Sequence, residues 1–357
     1  MTNHTTRRQW LGVLAGATAA GTAGCLDSTA GGTDETLSVA ASFFVLGDLA
    51  SNVAGDRASV ETLVPVGQHG HGWQPGPDVT RRAVEADVFV YMAPGFQPWA
   101  DDVVTNIESG DSDTAIMEAR AGVDLLTVPE EGGHDHGSAT AVHGEKHAEH
   151  SGHSDDHADH DTAHNDNHDT AHEDGHDERP VDPHFWLDPR RARTAVETIE
   201  EGLRAVDEGN AGTYADNADR YRERLSELDE TFETALSDRE RETVLVAGHN
   251  AFQYLGRRYG FDVVALSGLS PDDSPTSDDL RRAERVISDH DLDHVLAPVM
   301  ESEQAAAGIV SDTSARERLP ITALPGRHSE WADRGWGYEQ IMSEVNLPTL
   351  ETALGSR

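Results

Sequence analysis

Two residue types are nearly absent from the chain. Cys25 is the only cysteine and Lys146 the only lysine among 357 residues, so every other cation of the 27 is arginine. A single thiol excludes an intramolecular disulfide and any chelate built on paired cysteines. Positive charge is scarce altogether, since 66 acidic side chains against 27 basic ones leave a formal net charge of −39. A surface of that sign repels phosphate backbones and anionic lipid headgroups, which excludes a nucleic-acid-binding protein. Residues 134–176 carry 11 acidic side chains and Lys146, so a net of −29 is spread over the remainder. An evenly distributed carboxylate sheath suits concentrated salt, where screening removes the cost of self-repulsion, and a halophilic source is expected. Long apolar runs are missing too. Beyond the amino-terminal run that ends at Cys25, which is too short to be read as a spanning helix, no stretch approaches the ~18–20 apolar residues that one needs.

The amino-terminal stretch "TTRRQWLGVLAGATAAGTAGC" has two arginines, a short run of apolar and small residues, and Ala-Gly-Cys at its end. That is the layout of an export signal. Arg7 and Arg8 resemble a twin-arginine signal, and "TAGC" resembles a lipobox whose Cys25 becomes the lipidated first residue. "DSTAGGTDET" follows as a flexible tether. Residues 1–25 are thus expected to be a signal and 26–36 a tether. The mature protein is expected to be exported and anchored by lipid on the outer face of the cell membrane.

Beyond the tether, short apolar runs alternate with helical patterns. "LSVAASFFVLGDLASNVAG" is an apolar run entering a helix, while "ASVETLVPVG", "DVFVYMA" and "DTAIMEARAGVDLLTV" read as strands separated by helices. The alternation resumes at "ETVLVAG", "DVVAL", "DHVLAPV" and "LPITAL", and "GYEQIMSEVNLPTLETAL" reads as a closing helix. Such alternation predicts parallel sheets covered on both faces. The expected fold is α/β with two lobes, each a mostly parallel sheet flanked by helices. They span 37–190 and 241–357, with helices over 191–240 that include one long rigid helix joining the lobes. Residues 130–180 interrupt the first lobe as a Gly/His/Asp-rich insertion. Ligands of open α/β sheets bind at the carboxyl ends of the strands, so a cleft between the lobes is the expected site.

Of 20 histidines, 12 lie between His134 and His176, and His4 lies in the signal. His290 and His294, in "ISDHDLDHVLA", sit at the end of a helix and in the turn beyond it, where a histidine caps or is solvated. The other five have a different context. His69 and His71 lie in the Gly- and Pro-bounded loop of "LVPVGQHGHGWQP", just past a strand. His184 stands between two Asp-Pro steps in "VDPHFWLDP", which favour an extended backbone. His249 ends the buried strand of "TVLVAGHNAF", and His328 follows another in "ALPGRHSEW". Taken singly, each is more often a satisfied polar residue than a ligand. Together they can supply the three or four neutral imidazoles that zinc favours.

Nearly all of the chain beyond the signal resembles the extracytoplasmic zinc and manganese receptors of metal ABC importers. "LVPVGQHGHGWQPGPDVTRRAVEADVFVYMAPGFQPW" is similar to the family's Pro-His-x-aromatic-acidic-Pro segment, and "DPHFWLDP" is the most specific match. "AGHNAFQYLGRRYG" and "HVLAPVMESEQAAAGIV", around Glu301, match the second lobe. The resemblance implies metal ligands at His71, His184 and His249. The fourth is expected at His328, with Glu330 as the alternative and a water as a third choice. It departs from the family where His69-Gly70 replaces Asp-Pro. It implies Zn2+ as the ion, with Mn2+ less favoured because manganese prefers oxygen-rich octahedra. It also implies a metal permease with its ATPase as partners, a monomeric receptor, and no catalysis.

The insertion places His134, His136, His143, His147, His150, His153, His157, His160, His164, His168, His172 and His176 among carboxylates, with nothing apolar that could build a core. It is expected to be disordered without metal, to gain order with zinc, and to gather, buffer or sense metal beside the cleft. Two other classes of function fit the same residues. A zinc hydrolase would use the three histidines with Glu301 as general base, although no nucleophile or oxyanion motif accompanies them. A metal-storing surface chaperone would rely on the insertion alone.

Overall fold

A computed structural model describes residues 36–70, 73–110, 112–127, 181–271 and 274–356. Cys25, the tether and the histidines from His134 to His176 fall outside those residues, and so does His71.

The first lobe runs β1 (Leu37–Ala41), α1 (Phe44–Ala54), β2 (Ala58–Thr62), α2 (Pro77–Glu85), β3 (Val88–Tyr91), α3 (Pro98–Ser109) and β4 (Ala115–Glu118). A 3-10 turn over Phe185–Leu187 leads into α4 (Pro189–Val206), and a short turn into α5 (Ala211–Ala235). The second lobe holds β5 (Thr243–Val246), α6 (Gln253–Tyr259), β6 (Asp262–Ala265), α7 (Ser277–Asp289), β7 (His294–Pro298), α8 (Gln304–Asp312) and β8 (Glu317–Ile321). The chain closes with α9 (Ser329–Asp333), α10 (Tyr338–Ile341), a π-turn over Met342–Asn346, and α11 (Leu347–Leu354).

Each lobe has one four-stranded parallel sheet, in the order β2-β1-β3-β4 and β6-β5-β7-β8. The strands "VFVY" of β3 and "TVLV" of β5 are buried at every position. Helices cover both faces of such strands, which is why they read as unbroken apolar runs rather than alternating ones. In both sheets the strand order reverses between the two central strands. The crevice therefore opens beyond the carboxyl ends of β1 and β3 in one lobe and of β5 and β7 in the other. No described helix is long and apolar enough to cross a membrane.

Three expectations shift in detail. "DTAIMEARAGVDLLTV" keeps only β4 as strand, because the chain turns at Gly122, in the left-handed region at φ 76°. Thr127 then makes an isolated antiparallel bridge with Val181. The closing helix is interrupted by its π-turn. Pro348 has no N–H to give the carbonyl one turn back, and the bonding widens ahead of it. His294 opens β7 instead of lying in a turn.

Helix α5 joins the lobes. Its buried residues Tyr214, Ala218, Tyr221, Leu225, Leu228 and Phe232 recur every three or four positions and form one apolar stripe. Asn217 Nδ2 donates to Val53 O of α1 at 2.9 Å near one end, and Phe232 stacks on Tyr259 of α6 near the other. Between them, buried Asp229 accepts from Arg190 Nε of α4 at 2.8 Å and from Arg258 Nε of α6 at 2.7 Å. Burial pushes the Asp229 carboxyl up, but the two guanidiniums more than offset it, so the group sits below the ordinary carboxylate range. Asp229→Ala should cost about 3 kcal/mol near neutral pH, the low end for a broken buried ion pair because Arg190 keeps solvent access. The contribution is fully present above the unfolded value near ~3.9 and is lost as pH falls through the lower folded value. Denaturant unfolding should show a constant gap between the two proteins above about pH 5 that closes in stronger acid. Equal stabilities at neutral pH would contradict it.

Candidate metal centre

The two histidines that the structure buries most deeply come from either side of the cleft. His249 stands just beyond the carboxyl end of β5, and Glu301 just beyond that of β7. These are the central strands of the second sheet, so both side chains enter the crevice at the point where the strand order reverses. His184 caps the 3-10 turn that precedes α4. Both histidine side chains are 1% exposed. Their ring centroids lie 5.2 Å apart.

Each ring is held in the same manner. The backbone N–H and Nδ1 of His184 reach Asp182 Oδ1 at 2.9 and 2.8 Å. The Nδ1 of His249 reaches Glu301 Oε1 at 2.5 Å, and its backbone N–H donates to Glu301 Oε2 at 3.2 Å. A carboxylate oxygen accepts, so Nδ1 carries the proton in each ring and the lone pair resides on Nε2. Both Nε2 atoms are buried. Burial lowers the proton affinity of His184 below that of an ordinary histidine, against the opposing pull of Asp182, which keeps the ring a neutral donor.

His69 reaches the same place from the loop after β2, with its ring centroid 6.0 Å from that of His249. Donor atoms of His69, His249 and Glu301 all lie within 4.8 Å of one another, the one such group among the described residues. A tetrahedral zinc with bonds of about 2.1 Å spaces its donors roughly 3.4 Å apart, so a bound ion would draw these groups somewhat closer. A cavity of about 760 Å³ opens beside them, lined by His69, Trp73, Gly248, Met300 and Glu301 among others.

His328 lies one step away. Together with His69 and Glu301 it lines a second cavity of about 470 Å³. Its Nδ1 caps α9 by accepting from Glu330 N at 3.4 Å, and its ring rests against Trp331. Glu330 is exposed in the first turn of that helix. Neither residue joins the group around His249. His290 has the capping place expected of it, with Nδ1 on Thr243 Oγ1 at 3.1 Å.

From the same loop the sequence favours His71, which lies outside the described residues, over His69, and it gives Asp182 no role. The available signals were two histidines in one loop and an Asp two residues ahead of His184. Glu301 enters from the sequence through the second-lobe match and as the general base of the hydrolase alternative, and its bond to His249 is seen only in the structure.

Glycines let the lobes touch here. Gly67 N–H donates to Arg327 O at 2.9 Å and Gly70 N–H to Pro325 O at 3.1 Å, joining the His69 loop to the loop after β8. A Cβ on Gly326 would stand 2.1 Å from Gln68 O, and one on Gly248 would stand 2.5 Å from Glu301 Oε2. Leu324, also in the loop after β8, adopts the left-handed region at φ 56°, a strained place for a branched side chain.

The model of a protein family described as the periplasmic zinc-uptake complex component A matches residues 39–353. The chain belongs to that family. It is 27% identical over 330 residues to the high-affinity zinc uptake system protein ZnuA of Bacillus subtilis, covering 92% of this chain and 91% of that one. It is 28% identical over 322 residues to the zinc-binding lipoprotein AdcA of Streptococcus pneumoniae, covering 89% of this chain but only 56% of AdcA. The manganese-binding lipoprotein MntA of Halalkalibacterium halodurans is 26% identical over 280 residues, 78% of this chain and 76% of that one. Among solved structures, the Zn(II)-bound ZnuA-like domain of S. pneumoniae AdcA superposes with a TM-score of 0.66 at 24% identity, over 89% of this chain and 99% of that domain. The shared fold is the pair of parallel-sheet α/β lobes.

Because a backbone oxygen cannot yield to a new methyl, Gly326→Ala should force the two loops apart. Zn2+ affinity at the cleft should then fall tenfold or more, about 1.4 kcal/mol, with each lobe intact. Competition titration measures this, and unchanged affinity would mean that the loop contact plays no part in holding the ion.

Proposed function

We propose that the protein is an extracytoplasmic receptor that binds one Zn2+ between its lobes and delivers it to a membrane ABC permease driven by its ATPase. One observation carries the reading. Two buried imidazoles from opposite sides of the cleft face each other, each held through Nδ1 by a carboxyl, so that Nε2 is the donor each offers an ion. Membership of the zinc-uptake family and the zinc-binding relatives support it.

His184 and His249 form the core of the proposed site. From the first lobe the third donor is His69 or His71, two residues apart on one loop, and Glu301 stands at hand as a carboxylate. His328, with Glu330 behind it, is the further donor from the second lobe. Neutral imidazoles favour zinc over manganese, which would ask for more oxygen. The ion is cargo, so no bond of a substrate is made or broken. The histidines from His134 to His176 would collect metal near the cleft, and lipidated Cys25 would keep the monomeric receptor at the outer face of the membrane.

Zinc titration against a competing chelator tests the reading. One tight ion should persist when residues 134–176 are deleted, with only the weaker ions lost. His249→Ala should weaken the tight ion about a hundredfold, close to 2.7 kcal/mol. Loss of all binding on deletion would instead favour a storage protein that depends on the insertion.

A further inference from the structure

The segment from Val181 to Asp188 holds an acidic group, Asp182, whose two oxygens are used unequally. Asp182 is 3% exposed. Its backbone is fixed from two sides, with Asp182 N–H donating to Leu126 O at 2.8 Å and Tyr254 O–H donating to Asp182 O at 2.8 Å. Its carboxyl is used unevenly. Oδ1 takes both donors of His184, the backbone N–H at 2.9 Å and Nδ1 at 2.8 Å. Oδ2 is buried and makes no hydrogen bond. Leaving a buried carboxyl oxygen unsatisfied is costly, so its retention calls for a reason.

We propose that Asp182 is a positioning residue for metal binding: by taking the backbone N–H and Nδ1–H of His184 on one oxygen, it fixes the ring's tautomer and aim, so that the Nε2 lone pair meets the ion. Two converging donors select an acceptor atom at that point. An amide oxygen meets the requirement as well as a carboxylate oxygen does, and an amide nitrogen does not. Asp182→Asn is therefore held in one orientation by the two N–H groups, and its NH2 falls where Oδ2 makes no bond. The two bonds survive without the charge. Asp182→Ala removes both. The inference rests on His184 as a ligand.

The test uses the full chain, stripped of metal and titrated with Zn2+ against a chelator at less than one equivalent, so that only the tightest site fills. Asp182→Ala should weaken that site by about ten- to a hundredfold, the usual effect of losing a group that orients a metal-bound histidine. Asp182→Asn should recover it to within about threefold, which a hydrogen bond kept at its geometry allows. The absorption spectrum of the first equivalent of Co2+ should match wild type in Asp182→Asn and differ in Asp182→Ala. Should the alanine variant not fold, Asp182→Ser, too short to reach Nδ1, takes its place. Equal losses in the Asn and Ala variants, or none in either, would overturn the proposal. His184→Ala separates the two readings. If it keeps wild-type affinity, the ligand assignment fails and the inference with it. If it loses the tight ion while Asp182→Ala does not, the positioning role alone is wrong.

Discussion

Two imidazoles brought together out of water, one from each side of a cleft, are the constraint around which the structure is arranged. Burying a polar ring costs free energy unless its nitrogens are satisfied. For His184 and His249 a carboxyl on Nδ1, from Asp182 and Glu301, meets part of that cost. The same bonds decide which nitrogen keeps its lone pair. Burial, by lowering the proton affinity of His184, keeps that lone pair available to a metal.

The fold delivers these groups by a simple device. In each parallel sheet the strand order reverses at the centre, and the chain leaving those central strands enters a common crevice. His249 and Glu301 are the first polar side chains past two neighbouring strands, β5 and β7, which places them against each other without a special loop. Helix α5 and the Asp229 ion-pair network tie the second lobe to α4, so the crevice has a fixed back. At its mouth, glycines allow the backbones of the His69 loop and the loop after β8 to pair.

Much of this was legible in the chain. Uninterrupted apolar strands such as "VFVY" and "TVLV" announced parallel sheets, and "VDPHFWLDP" and "AGHNAF" singled out His184 and His249 as distinct from twelve low-complexity histidines. What stayed hidden depends on tertiary approach. Asp182 and Glu301 are ordinary acids in a chain with 66 of them, and only the distance to an imidazole distinguishes them. The Gly-x-His-x-His loop offers two imidazoles, and choosing between them needs the path of the backbone across the cleft. His328 was singled out by its place after a strand, but its Nδ1 is engaged in capping α9, a local bond that spacing does not reveal. The shortening of β4 and the π-turn before α11 follow from Gly122 and Pro348, whose effects depend on the neighbouring carbonyls and turns.

The most direct measurement is an anomalous-difference map from crystals of the protein loaded with one equivalent of zinc, recorded at the zinc absorption edge. The account predicts a single strong peak between the lobes, with Nε2 of His184 and of His249 both at about 2.0–2.1 Å from it. A first equivalent found elsewhere, or a peak in the cleft with either ring turned away from it, would contradict the account.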